Sequence, residues 1–315
     1  MSFVCRGFVG KTGAVTDNDH RAGSVFPAPP ADGSANAGER GAPGPDAPER
    51  SAVVGLGVDL AYGRHPVLAN ADFRLPAGSV TSLVGPNGAG KSSLLNAIVG
   101  LLPVQAGSLS VLGLDPLKAR RRVAYVLQSA KVNEQLPVTV REVVTMGRFA
   151  ERGALGRLRS SDREIVDEAI ERLEIAPLVS RHLGELSGGQ RQRVFVAQGL
   201  AQQAELLLLD EPVTGLDLVS RQRILDVVAE ERAAGRTVVM TTHDLSEAAE
   251  TDHVLLLAGR VVAAGTPAEV LTTEHLASAY GGRLLRLEGG AVLIDDPHHH
   301  AHGHDHTVCH DDDEA

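Results

Sequence analysis

Three observations predict an α/β fold built on a parallel sheet. The segment "SVTSLVGPNGAGKSSLLNAIVG" reads as strand, glycine-rich turn and helix. The runs "VAYVLQ", "ELLLLDEP" and "RTVVMTTHD" are short, apolar and end in polar residues. Segments of helical character alternate with them. Strands this apolar need cover on both faces, which crossover helices provide, so their polar ends collect at the carboxyl edge of the sheet.

Taken in order, residues 1–50 hold six prolines, eight glycines and eight alanines with no period of 2 or 3.6. Such a stretch buries too little to offset its ordering entropy and is predicted disordered; a translation start placed too far upstream explains it equally. A folded domain is expected over 51–294. In "LANADFRL", Leu68, Asn70, Asp72 and Arg74 alternate with Ala69, Ala71, Phe73 and Leu75, the signal of a half-buried strand. Capping boxes predict helix starts at Thr139 with Glu142, Ser161 with Glu164, and Thr266 with Glu269, the last with Pro267 in its first turn. Behind the second, Ile165, Ala169, Ile170 and Leu173 make an apolar stripe. No internal repeat is visible.

With 315 residues, 43% of them apolar, the chain suits one large domain with appendages. Its net charge of -10 argues against a nucleic-acid binder. Seven of the 40 acidic residues lie within 295–315, so the body is closer to neutral. Cys5 and Cys309, near opposite ends, make no disulfide framework and fit a reducing, cytosolic compartment. No run reaches the ~18 to 20 uncharged apolar residues of a membrane span, and no signal-peptide pattern opens the chain. Any membrane role is expected to come through a partner.

The chemistry starts at Gly85, Pro86, Asn87, Gly88, Ala89, Gly90, Lys91 and Ser92, a G-x-x-x-x-G-K-[ST] turn continued by Ser93. Glycines let backbone N–H groups curl round phosphates, Lys91 reaches the terminal phosphates, Ser92 can ligate magnesium, and the helix start favours anions. At the end of "LLLLDEP", Asp210 can hold the magnesium and Glu211 can polarise an attacking water. In "ELSGGQRQR", Ser187, Gly188, Gly189 and Gln190 suit a helix N-terminus whose free N–H groups face an anion.

With the "LSGGQ" turn lying between the phosphate turn and Asp210–Glu211 in the chain, the three motifs resemble the ABC ATPases, over roughly residues 51–290. The resemblance implies a P-loop ABC-type nucleotide-binding domain: a RecA-like core, an antiparallel β subdomain and a helical signature subdomain. It implies that Tyr62 stacks on adenine, although a tyrosine near an edge strand also suits plain packing. Gln128 would sense magnesium and the membrane partner, Asp217 in "GLD" would lie at an interface, and His243 would contact the terminal phosphate. The cofactors implied are ATP and Mg2+. Two copies would join head to tail, each ATP lying between the phosphate loop of one and the "LSGGQ" of the other, and would drive an integral membrane permease from the inner face of the membrane. His65, His182, His253 and His275 have no such context. Val213 stands where many relatives carry threonine or phenylalanine.

"LPVTVREVVTMGR", Leu136 to Arg148, resembles importers of zinc and manganese and also those of iron chelates and cobalamin; "AYGGRLL", Ala279 to Leu285, tips the comparison toward zinc and manganese. Such importers work with an extracytoplasmic metal-binding protein. The carboxyl end, "HHHAHGHDHTVCHDDD", places His298, His299, His300, His302, His304, His306, Cys309 and His310 among aspartates. Imidazole and thiolate suit zinc better than manganese, so 295–315 reads as a flexible zinc-chelating tail. A merely disordered polar tail would also bind metal incidentally. A soluble ABC ATPase of translation or DNA repair would carry two nucleotide domains or a long coiled coil, and a metal-storage protein would not need Glu211.

Overall fold

The computed structural model describes residues 51–127, 137–152 and 157–281, and the backbone of 284–286 and 292–294. Gln128, the 1–50 extension and the 295–315 tail therefore lie outside the described residues.

Strands β1 (Ser51–Tyr62) and β2 (His65–Pro76) form an antiparallel pair. Strand β3 (Val80–Val84) passes through the glycine turn into helix α1 (Lys91–Ile98). Strand β4 (Ala106–Val111) pairs with β1, giving a three-stranded antiparallel sheet of order β2-β1-β4. After α2 (Pro116–Ala119) and β5 (Val123–Val126) comes a helical region: α3 (Val140–Met146), α4 (Phe149–Arg152), α5 (Ser160–Arg172) and α6 (Gly188–Ala201). Then β6 (Leu206–Leu209), α7 (Leu218–Ala233), β7 (Thr237–Thr241), α8 (Leu245–Ala249), β8 (His253–Leu257) and β9 (Val261–Gly265) alternate. Helices α9 (Pro267–Val270) and α10 (Thr273–Tyr280) follow, then the strand pair β10 (Leu284–Arg286) and β11 (Val292–Ile294).

The second sheet has order β5-β6-β7-β3-β8-β9, parallel from β5 to β8 and antiparallel at β9. This order sets the carboxyl ends of β6, β7 and β3 side by side, where a parallel sheet builds its site. The four leucines of β6 show why the run is unbroken. Leu206 and Leu208 pack with α1 and the antiparallel sheet, Leu207 and Leu209 with the helical region and α7, and all are buried. Full burial of each is worth about 1.5–3 kcal/mol. A third cluster joins Val84, Val254 and Leu256 to Leu276 and Tyr280 of α10.

Two local expectations are corrected. The alternation in β2 reverses at Asn70: Leu68 is buried and Ala69 exposed, while Ala71, Phe73 and Leu75 are buried. Opposite Val58 and Leu60 stand Ala71 and Leu68, so β2 carries one extra residue there. Asn70 absorbs it at φ 44°, its N–H donating to Asp59 Oδ1 at 2.6 Å; a one-residue bulge swaps the faces. Helix α5 starts at Ser160, one residue before the expected cap, because Asp162 Oδ2 accepts the Arg159 N–H at 2.8 Å. The boxes at Thr139 and Thr266 form as expected, and Val166 joins Ala169, Ile170 and Leu173 on the buried face of α5.

Candidate functional site

The turn between β3 and α1 is a backbone cradle. Gly85, Gly88 and Gly90 have φ of 150°, 81° and 101°, which side chains rarely tolerate. At Gly85 a Cβ would lie 2.0 Å from the Leu257 carbonyl oxygen, so β8 closes the turn from beneath. The Ala89 N–H donates to Pro86 O at 3.1 Å and the Gly259 N–H to Ala89 O at 3.2 Å. Asn87 and Gly88 sit exposed at the tip. Lys91 is buried, and its Nζ donates to Gly85 O at 2.7 Å and Pro86 O at 3.2 Å, an ammonium folded back over the loop. Ser93, the third residue of α1, is buried.

Asp210, just beyond β6 and itself buried, is the hub. Its Oδ1 accepts from Ser92 Oγ at 3.0 Å and from Thr241 Oγ1 at 2.8 Å; its Oδ2 accepts from Tyr125 OH at 3.3 Å. Burial, with the Asp210 charge adding to it, pushes the Tyr125 phenol far above its ordinary range, so it stays a donor. Glu211 follows at φ 46°, a left-handed conformation costing a side chain about 1–3 kcal/mol, and its N–H donates to Thr241 Oγ1 at 2.7 Å. Val213 is buried in the core that backs this turn.

His243 is exposed beyond β7, on a loop held from both sides. Thr242 Oγ1 donates to Glu247 Oε2 at 2.6 Å and accepts the Asp244 N–H at 3.0 Å, and Arg221 of α7 bridges Asp244 and Glu247 at 3.1 and 3.0 Å. Burial raises the Asp244 carboxyl, but the Ser246 and Glu247 amides and Arg221 outweigh it and hold the pKa below the ordinary value. Tyr62 is half-exposed, and its OH accepts from Asn96 Nδ2 of α1 at 3.3 Å, which sets it beside the phosphate-loop helix.

Ser187 caps α6 through a reciprocal box with Gln190, with distances of 3.1 and 3.3 Å. Gly188 is exposed and Gly189 is not: a Cβ on Gly189 would lie 2.4 Å from Asp217 Oδ2 and 2.5 Å from Ser220 Oγ. Asp217 caps α7, accepting the Ser220 N–H at 2.9 Å, and that bond leads in lowering its pKa. The structure therefore joins signature glycine and Asp217 directly. Among the other histidines, His65 and His182 are exposed, and His275 Nδ1 lies 3.2 Å from Val270 O.

The sequence reading missed Thr241, Tyr125, Thr242 and Arg221. Thr241 carried a signal, a hydroxyl ending a buried strand in "MTTHD"; Tyr125 and Arg221 carried none, since each acts across non-adjacent elements.

The donor set fits a magnesium nucleotide. Ser92 and Asp210 present oxygens only, which suits Mg2+, and the glycine cradle at the start of α1 suits phosphate. Those two residues would hold the ion, which supplies charge neutralisation at the phosphates. Among the described residues no group of three His, Cys, Asp or Glu could hold a metal, and no helix is long and apolar enough to cross a membrane.

A parallel sheet with a glycine phosphate turn on one strand and Asp-Glu on its neighbour's neighbour defines a P-loop nucleoside triphosphatase. The profile of the family described as "ABC transporter" matches residues 68–214. Over 226 residues the chain is 43% identical to the zinc transport system ATP-binding protein TroB of Treponema pallidum, covering 71% of this chain and 85% of that one. It is 38% identical over 232 residues to the manganese transport system ATP-binding protein MntB of Bacillus subtilis, covering 73% and 93%. Among solved structures, cbiO1 of Clostridium perfringens, part of the ABC transporter complex cbiONQ, superposes with a TM-score of 0.62 at 26% identity, covering 73% and 94%. The chain belongs to the ABC transporter family as an ATP-hydrolysing, ATP-binding subunit.

Proposed function

We propose that this chain is the motor of a divalent-metal importer, with zinc as the cargo. The observation that carries the motor is the single hydroxyl of Thr241, which fixes Asp210 and the Glu211 backbone beside Ser92 of the phosphate loop. In this reading Lys91 and the loop amides from Gly85 to Ser93 bind the phosphates, Tyr62 stacks on the base, Glu211 accepts the proton of the attacking water, and His243 contacts the terminal phosphate. Gln128 completes the magnesium site.

Support for a head-to-tail pair comes from Leu218 and Val219, 81% and 65% exposed beside Asp217 and the signature turn. Large apolar side chains so placed favour a second surface. A second copy would then close each ATP between Lys91 of one chain and Ser187–Gln190 of the other. Leu101 and Leu117, each 62% exposed, flank the place where Arg120 clasps the Val99 and Gly100 carbonyls, and suit docking on a permease at the inner membrane face. The cargo rests on the relatives named for zinc and manganese transport and on the chemistry of the tail. Imidazoles and a thiolate at His298–His310 select zinc over manganese, and zinc arriving at the tail would slow the motor.

Uptake of labelled zinc and manganese into cells carrying the wild-type chain or Glu211→Gln tests this. Loss of zinc uptake with manganese unchanged supports the reading. Loss of manganese uptake alone reassigns the cargo, and unchanged uptake of both sinks metal-ion import.

A further inference from the structure

Helix α3 lies alongside the signature helix α6 and is fastened to the signature unit at both ends. At its amino end, the Val140 N–H donates to Arg181 O at 3.0 Å, the Arg141 N–H to Val179 O at 3.2 Å, and the Leu183 N–H to Val138 O at 3.0 Å. The 179–183 strip so engaged runs straight into Ser187. Along its length Val140, Val143 and Val144 share a core with Val194, Ala197 and Ala201. At its carboxyl end Gly147 meets α6 backbone to backbone, since a Cβ there would lie 2.3 Å from Gln198 O.

Arg148 locks that carboxyl end. It is 2% exposed, in a position where a lone charge would not persist. Its Nη1 donates to Ala201 O at 2.7 Å, at the last turn of α6; its Nε donates to Asp162 Oδ1 at 3.0 Å, in the first turn of α5; its Nη2 pairs with Glu151 of α4. Asp162 is wholly buried, and its second oxygen takes the Arg159 N–H and Arg152 Nε, the latter at 3.0 Å. The guanidinium sits where helix carboxyl ends attract cations and the carboxylate where an amino end attracts anions. The guanidinium reaches these three acceptors from three separate nitrogens in one plane, whereas the donors of a lysine share a single nitrogen. The hydrogen bonds and ion pairs of Arg148 and Asp162 run to Glu151, Arg152, Arg159 and Ala201, all away from the phosphate loop in sequence and element, so the ATP-binding half-site is built without them.

We propose that Arg148 is a positioning residue for the composite ATP site: by joining the ends of α3, α5 and α6 it sets the direction in which Ser187–Gln190 is presented to the nucleotide on the other copy. The proposal rests on the head-to-tail reading above. Burial makes the pair a device of orientation more than of stability, because removing both charges together costs far less than stranding one.

The test uses the full chain with Arg148→Lys, and with the double change Arg148→Met, Asp162→Asn, which leaves no stranded carboxylate. A fluorescent ATP analogue reports the affinity of the single chain, and sedimentation reports ATP-driven pairing of the same variants in a Glu211→Gln background. The expected result is nucleotide affinity within about twofold of wild type, while pairing and turnover per chain at low protein concentration fall about tenfold or more, turnover recovering as protein concentration rises. Pairing and turnover equal to wild type in both variants would overturn the role of Arg148. So would nucleotide affinity falling in parallel with pairing, which marks a merely structural loss. A Glu211→Gln parent that stays single with ATP would remove the composite site itself, and the proposal with it.

Discussion

The Thr241 hydroxyl lies 2.8 Å from Asp210 Oδ1 while accepting the Glu211 N–H at 2.7 Å. One side chain from β7 thus sets both acidic residues that follow β6. The expected effect of Thr241→Val, nearly the same shape without the hydrogen bonds, is a loss of about 1–3 kcal/mol. Turnover should fall about 10- to 100-fold with a smaller change in the KM for ATP, since the loop that binds phosphate is untouched. Steady-state phosphate release checks it; a rise in the KM for ATP with kcat unchanged would place Thr241 in binding instead.

Glu211→Gln keeps the size of the side chain and removes its basicity. Hydrolysis should drop about 10²- to 10⁴-fold, the range of general-base catalysis, while ATP is still bound. A long-lived ATP-bound pair should then accumulate, visible by gel filtration with ATP and absent with ADP. Residual turnover near wild type would remove Glu211 from the chemistry.

Gly85→Ala combines a left-handed φ with a Cβ 2.0 Å from the Leu257 carbonyl oxygen. The Leu257 backbone on one side and the Ala89 Cβ, 3.1 Å away, on the other leave no flexible neighbour to yield. We expect ATP binding to be lost together with about 2 kcal/mol or more of stability, against Gly88→Ala, where nothing lies within 4 Å and only the φ cost applies. Urea unfolding of the two variants separates the terms.

Asp162 is held at a pKa of about 2 by the Arg159 amide first, then by Arg152 and Arg148, against the push of burial. The folded value lies below the ordinary 3.8, so its contribution is complete above about pH 4 and is lost as pH falls toward 2. The difference in stability between wild type and Asp162→Asn should be flat from pH 7 to about 4 and shrink below it. A difference that changes between pH 7 and 5 would implicate another group.

Removal of residues 295–315 should abolish zinc binding by the isolated chain and leave ATP turnover without zinc unchanged. In the intact chain zinc affinity should weaken as pH falls through about 6.5, because imidazole ligands must be neutral. Calorimetric titration at pH 7.5 and 5.5 checks both. In the assembled transporter, identical turnover with and without the tail across a zinc titration would end the regulatory role.

Much of this site was legible in linear sequence because its parts are local. A phosphate cradle needs glycines at fixed spacing before one helix, so Gly85–Ser92 announces itself, and β6 buried on both faces needs the unbroken leucines that lead to Asp210. Capping boxes span four residues and were read at Thr139 and Thr266. The same logic failed at Ser161, where Asp162, drawn inward by two arginines from elsewhere, moved the cap to Arg159 and started the helix two residues earlier. It failed at Asn70 because a bulge is defined by the partner strand.

The sequence by itself determined the fold class, the phosphate-binding turn, the Asp210–Glu211 pair and the signature turn, since each is written in contiguous residues whose backbone needs are short-range. Only the tertiary structure decided that Thr241 and Tyr125 complete the Asp210 site, that Asp217 packs on Gly189, and that Arg148 ties three helix ends together. Those contacts span 31 residues between Thr241 and Asp210 and 53 between Arg148 and Ala201. They exist because the order of strands in the sheet and the packing of helices bring polar atoms into low-dielectric space, where each must find a partner.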